Sequence, residues 1–116
     1  MTEFLHVTER TTWESALPTG GYRISTKGVS LEEQGFIHFS LAHQLRTVAE
    51  LLYRDADEPL VVLVIDGERL TAPVRYEAME PGGDEFPHLY GELPTTAVIR
   101  VVPVERDSGG RMILPE

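Results

Sequence analysis

Three of the chain's four histidines, His6, His38 and His88, sit in segments of one design. Phe4/His6/Thr8, Phe36/His38/Ser40 and Phe86/His88/Tyr90 each place an aromatic ring, an imidazole and a hydroxyl at positions i, i+2 and i+4. Successive side chains of an extended strand point to opposite sides, so each trio shares one face. If the three segments meet, they line a cleft with rings, imidazoles and hydroxyls, a surface suited to a planar, polar ligand. An imidazole titrates at about 6.5 and so can accept and return a proton near neutral pH, which makes His38 and His88 candidate acid/base groups. The competing reading is structural: buried histidine is commonly a hydrogen-bonded core or turn residue, and Phe36 and Phe39 would fill any core. Recurrence of the pattern is the argument for a shared pocket.

A metal-dependent hydrolase built on His6, His38 and His88 is the sharpest rival chemistry. His38 and His43 flank a strand-to-helix junction instead of standing at the i, i+4 spacing that presents two imidazoles together, and no carboxylate pattern completes a ligand motif, so no metal ligand is assigned. His43 belongs in the first helical turn as an exposed or capping residue. The absence of cysteine removes disulfides, thiolate zinc sites, iron–sulfur clusters and cysteine nucleophiles. Ser40 lacks the glycine-flanked elbow that exposes a nucleophilic serine, and its position fits the cap of the helix that follows. Glu77, Glu80, Asp84, Glu85 and Glu92 read as a solvated acidic face, with Arg75 and Glu77 as a surface ion pair.

The chain has 116 residues, 10 basic and 19 acidic side chains and a net charge of −9, spread evenly along its length. That charge repels phosphate backbones, and no basic stripe with interleaved aromatics offsets it, so nucleic acid is excluded as a bulk ligand. The local exception is residues 10–31, where Arg10, Arg23 and Lys27 face only Glu14; the anion of a small phosphorylated ligand would sit there. The N-terminal residues carry no basic and apolar leader pattern, and the longest apolar run, Leu60 to Ile65, is far too short to cross a bilayer. A cytoplasmic protein without membrane contact is expected.

The elements that must position these residues read as one domain over 1–116. Phe4 to Thr8 is a strand. Thr11 and Glu14 form a capping box for a short helix to about Leu17, stopped by Pro18 and Gly20-Gly21. Ser30 and Glu33 repeat the box, and Gly35 allows about one turn. Phe36 to Phe39 is a strand, and Leu41, Leu45, Val48, Ala49 and Leu52 form one stripe of the main helix, about 41–54, ahead of the polar loop 55–59. Leu60 to Ile65, apolar on both faces, predicts a central strand. Val74 to Ala78 is another strand, 80–84 a loop, and Thr96 to Val104 a long strand with Pro103 at an edge or bulge. Asp107 to Gly110 turns the chain back into Arg111 to Leu114. The fold class is α+β, mostly antiparallel, with one main helix and one or two short ones.

The strings Gly35-Phe36-Ile37-His38-Phe39-Ser40 and Phe86-Pro87-His88-Leu89-Tyr90-Gly91 resemble the domain-of-unknown-function family 952, small bacterial proteins built around these two signatures. The resemblance spans nearly the whole chain and includes His6-Val7-Thr8, Trp13, Gly21-Tyr22, Gln44, the hydrophobic strand before Asp66 and the closing hairpin. That family in turn resembles the ADP-ribosyltransferase fold, whose split antiparallel sheets form a cleft that holds NAD. His6-Val7-Thr8 is similar to its first motif. His38-Phe39-Ser40 is similar to its second, closest to the His-Leu-Ser string of the RNA 2′-phosphotransferase branch, although the basic set expected for an RNA substrate is lacking.

The resemblance implies that His6 and Thr8 hydrogen-bond a ribose and that Tyr22, Phe36 or His38 stacks on a ring. Arg23, for the phosphate, and Ser40 and Tyr90 are further candidate ligand contacts. It implies NAD, ADP-ribose or a related nucleotide as ligand or substrate, with ribosyl transfer or hydrolysis as the reaction. The third motif of that fold is a Glu or Gln ahead of a late strand; the comparable segment here offers His88 and Tyr90, with Glu85 and Glu92 nearby. The alternative is a ligand-binding or protein-interaction module that keeps the cleft and has lost the catalytic acid.

Overall fold

The computed structural model describes residues 2–54, 56–78 and 80–115; Asp55, which opens the polar loop expected at 55–59, lies outside them. In chain order the elements are β1 (Glu3–Glu9), α1 (Arg10–Ala16), β2 (Gly21–Tyr22), β3 (Ile24–Thr26), β4 (Val29–Ser30), α2 (Leu31–Gln34), β5 (Ile37–His38) and α3 (Leu45–Tyr53). There follow β6 (Leu60–Asp66), β7 (Val74–Ala78), β8 (Glu85–Leu89), β9 (Leu93–Pro94), β10 (Val98–Pro103), β11 (Glu105–Arg106) and β12 (Met112–Ile113). This is an α+β domain of antiparallel sheets and few helices.

Two three-stranded sheets carry the architecture, ordered β1-β6-β10 and β5-β8-β7. β6 is central in the first, and all seven of its residues are buried, as its two-sided apolar run requires. Val61, Leu63 and Ile65 pack with Phe4, Ile37, Phe39 and Leu89 on the side of the second sheet. Leu60, Val62 and Val64 pack on the other side with Leu5, Val7 and the α3 stripe of Leu45, Val48 and Ala49. Alternation along β1 therefore sends His6 and Thr8 to Phe4's side, toward the second sheet.

A short segment joins the sheets. Ile37 and His38 pair with Leu89 and His88 of β8. The next amide, Phe39 N–H, donates to the Pro87 carbonyl at 2.9 Å, and Ser40 exchanges two backbone hydrogen bonds with Leu5 of β1 at 2.7 and 2.9 Å.

Several local expectations meet long-range competition. The Ser30 box forms, with Ser30 Oγ accepting from Glu33 N–H at 3.2 Å and Glu33 Oε1 accepting from Ser30 N–H at 3.1 Å. Gly35, at φ +93°, then ends α2 in the left-handed region. Ser40 does not cap the main helix, because its backbone is committed to β1. Gln44 Oε1 takes the Leu41 N–H at 3.0 Å instead, residues Ala42–Gln44 form a 3-10 turn, and α3 begins only at Leu45. Thr11 makes no cap either: α1 starts directly after β1, with Arg10 N–H donating to the Pro59 carbonyl at 2.9 Å. The strand expected at 96–104 opens as a 3-10 turn, Thr95–Ala97, and Pro103 closes edge strand β10. Among the described residues no helix is long and apolar enough to cross a membrane.

Leu63 is fully buried at the centre of β6, whereas Leu51 on α3 is 80 % exposed. Leu63→Ala is expected to lower unfolding free energy by about 2–5 kcal/mol, and Leu51→Ala to change it by no more than about 0.5 kcal/mol, as measured by urea denaturation.

Candidate functional site

Strand pairing brings the two signature segments side by side. His38 stands opposite His88, His88 opposite Arg75, and Phe86 opposite Glu77. Directly opposed residues share a sheet face, so His38, Arg75, Glu77, Phe86 and His88 project from the outer face of the second sheet, away from Ile37 and Leu89 in the core. The rings form a continuous patch. Phe36 stacks on His88 at 3.9 Å and 12°, and His38 lies 5.0 Å from Phe86 and 5.2 Å from His88. Phe36 is 5.5 Å from Tyr90, whose ring carries the Arg75 guanidinium at 5.2 Å.

Glu77 joins this patch. Its Oε1 accepts a hydrogen bond from His88 Nδ1–H at 2.9 Å and another from the Tyr90 hydroxyl. These bonds, Tyr90 first, hold the Glu77 carboxyl below its usual range, and the same bond raises the Tyr90 phenol. With Nδ1–H donated to a carboxylate, Nε2 is the ring nitrogen left for other chemistry, the arrangement of a histidine oriented by an acid. That Nε2 is buried and has no partner among the described residues.

A second network lies beneath the seam between the sheets. His6 Nδ1 is 2.8 Å from the His38 carbonyl oxygen, which can only accept, so Nδ1 carries the proton. Burial lowers His6 to about 4 and keeps it neutral, leaving Nε2 as an acceptor. Tyr22 Oη is 2.8 Å from that Nε2 and 2.9 Å from Thr8 Oγ1. The phenol proton therefore goes to His6 and the Thr8 hydroxyl donates to Tyr22. Burial raises the Tyr22 phenol as well. His38 is lowered to about 4, chiefly by burial and further by His88 and His6.

A groove of about 340 Å³ runs between His38 and Phe86 on the sheet and Thr47, Val48, Leu51 and Leu52 on the helix side, with Thr26 and Gln34 at its edge. Behind it a hollow of about 10 Å³ is walled by His6, Ser25, His38, Ser40 and neighbouring apolar side chains. The structure thus gathers Phe36, His38, His88 and Tyr90 on one face, and places His6 and Ser40 on the floor behind the groove. Tyr22 is bonded to His6, and Thr8 reaches the network through Tyr22. Arg23 is elsewhere: its Nε is 2.7 Å from Glu32 and its Nη1 3.5 Å from Glu92, and neither Arg10 nor Lys27 lines the groove. His43 is exposed in the 3-10 turn before α3. Among the described residues no three His, Asp or Glu side chains come together as a metal-ligand set.

Two residues of this site escape the sequence reading: Glu77, which reads as part of a solvated acidic face paired with Arg75 but bonds His88 and Tyr90, and Ser25, which carries no signal. Glu77 meets His88 on a diagonal of the β7–β8 pair, a relation visible only once the register is known. Glu85 alternates to the opposite face and Glu92 pairs with Arg23, so Glu77 is the acid that reaches the imidazole. Ser25 falls at a break in the β3–β4 pairing and turns inward.

The sequence model of a family described as "Protein of unknown function (DUF952)" matches residues 7–101. The crystal structure of protein CC0527 from Caulobacter crescentus superposes with a TM-score of 0.81 at 29% identity, covering 97% of this chain and 94% of that one. The solution NMR structure of the same protein gives 0.75 at 31% identity, covering 95% and 90%. No curated protein matches the sequence.

The pH dependence of stability follows from His6. An unfolded histidine protonates at about 6.5, whereas folded His6 protonates only at about 4. The unfolded chain binds the extra proton between those values, so His6's contribution is complete above pH 6.5 and is lost as pH falls toward 4. The expected loss is on the order of 3 kcal/mol. Urea unfolding of the protein and of His6→Gln at pH 7 and pH 4.5 measures it as the part of the loss that the substitution removes, because His38, also lowered to about 4, contributes the same way and keeps its share in the variant. Nitrogen-15 spectra of the imidazoles should show His6 as the Nδ1–H tautomer at pH 7.

Proposed function

The chain belongs to the DUF952 family of proteins of unknown function, and from the geometry of its outer sheet face we propose that it is a small ADP-ribosyltransferase-like domain. In this reading it binds NAD, ADP-ribose or a related nucleotide metabolite beside the groove between that face and α3. One observation carries the reading: two segments far apart in the chain are adjacent strands, and together they present His38, Phe86, His88 and Phe36 as a stacked ring surface on one face. Two antiparallel sheets joined through Ser40 also accord with a split-sheet fold.

The ligand's flat ring stacks on His38 and Phe86. Arg75, exposed on the same face, meets its phosphates. His88 takes and returns the proton during ribosyl transfer or hydrolysis, with Glu77 as its positioning residue. His6, Thr8 and Tyr22 hold the floor by fixing the His38 backbone.

A second reading, a binding module without turnover, is favoured by the burial of His88, which is 1 % exposed. Calorimetric titration with NAD and ADP-ribose tests the first claim. Saturable binding is expected, and His38→Ala or Phe86→Ala should weaken it about tenfold or more through lost stacking. Glu77→Gln should leave affinity within about threefold while lowering nicotinamide release about 100-fold or more, the scale of a general acid–base contribution. No heat with any nucleotide would remove the proposal. Tight binding with no nicotinamide released would select the second reading.

A further inference from the structure

Ser25 is 0 % exposed, and its hydroxyl has no hydrogen-bond partner among the described residues. A buried hydroxyl left unpaired destabilises a fold, so its presence calls for something that completes it. Ser25 lines the hollow of about 10 Å³ behind the groove, a space that holds one water-sized group. His6, also on its wall, has both ring nitrogens engaged, by the His38 carbonyl and by Tyr22. The His38 ring, by contrast, makes no hydrogen bond among the described residues, and as a neutral imidazole it offers one donor and one acceptor.

The hollow and the groove share Thr26, His38, Val48 and Leu52 as lining residues, so the two spaces adjoin beside α3. The groove's outer walls are Leu51, which is 80 % exposed, and Phe86. Among the described residues no Lys, Arg, Asp or Glu lines either part. An ionised head group would lose its hydration there without gaining a counter-charge. Carboxylate, phosphate and amide groups also carry three or more heavy atoms, too many for a one-atom hollow. A hydroxyl oxygen fits in size, in charge and in hydrogen bonding.

We propose that Ser25 and His38 form a site for the hydroxyl group of an uncharged alcohol or phenol, whose apolar body lies in the groove against Val48, Leu51, Leu52 and Phe86. The site goes beyond the nucleotide reading and does not depend on it, since the ligand class it selects has neither phosphate nor base.

Amide proton–nitrogen spectra of the full chain, titrated with benzyl alcohol and with toluene, benzylamine and benzoate, test this directly. Benzyl alcohol should give saturable shifts at Ser25, His38 and Leu52. The three analogues should bind about fivefold or more weakly, the effect of one lost hydrogen bond or one unpaired charge. Ser25→Ala removes a hydroxyl that has no protein partner, so its Tm should be unchanged or raised, while benzyl alcohol affinity falls about fivefold or more and toluene affinity stays the same. The proposal is overturned by an absence of saturable shifts with benzyl alcohol, by equal affinity for benzoate or benzylamine, or by a Ser25→Ala protein that binds benzyl alcohol unchanged. A lowered Tm in Ser25→Ala would also overturn it, since Ser25 would then be a structural hydrogen-bonding residue.

Discussion

Between Ile37 and Ser40 the backbone changes partners, and the two sheets hold together through that change. Ile37 and His38 belong to the ladder with β8, whereas Ser40 belongs to β1. The side chain of His6 reinforces the crossing by donating to the His38 carbonyl at 2.8 Å. His6 is buried, so breaking the bond leaves its imidazole N–H unpaired away from water, which costs more than the bond's net contribution in water. The position of the His38 ring on the outer face is thereby tied to the core of the first sheet. Tyr22 and Thr8 extend the same constraint by keeping His6 in one tautomer.

The electrostatics of the site follow from this packing. His6 and His38 are both held at about 4 by burial, so near neutral pH they add no charge beside His88. The outer face also carries Glu77, bonded to His88 and Tyr90, and Arg75 above the Tyr90 ring. A chain with a net charge of −9 thus presents a local surface of packed rings beside one carboxylate and one guanidinium.

What could be read from the sequence was what depends on nearest neighbours. The run Leu60 to Ile65 suits only a strand covered on both faces, and Ser30, Glu33 and Gly35 form a complete helix signal within six positions. The repeated aromatic–histidine–hydroxyl spacing likewise gives the shared face of Phe36 and His38 and of Phe86 and His88, but Ser40 turns to the floor with β1 and His88 lines neither the groove nor the hollow. Ser40 and Thr11 were misread as caps because distant backbone decided their roles: Leu5 pairs with Ser40, and the Pro59 carbonyl meets the first amide of α1. Glu77 was hidden because its bond to His88 depends on the β7–β8 register, and Ser25 because its inward turn depends on a break in pairing. Arg23 looked available for an anion, yet Glu32 and Glu92 reach it from elements nine and sixty-nine positions away.

A crystal structure of the protein soaked with ADP-ribose tests the central claim, that the joined signature strands form the ligand face. The account predicts electron density for a flat ring against His38 and Phe86, with the phosphates toward Arg75. Fully occupied ADP-ribose bound elsewhere on the molecule, or an empty groove at a saturating concentration, would contradict it.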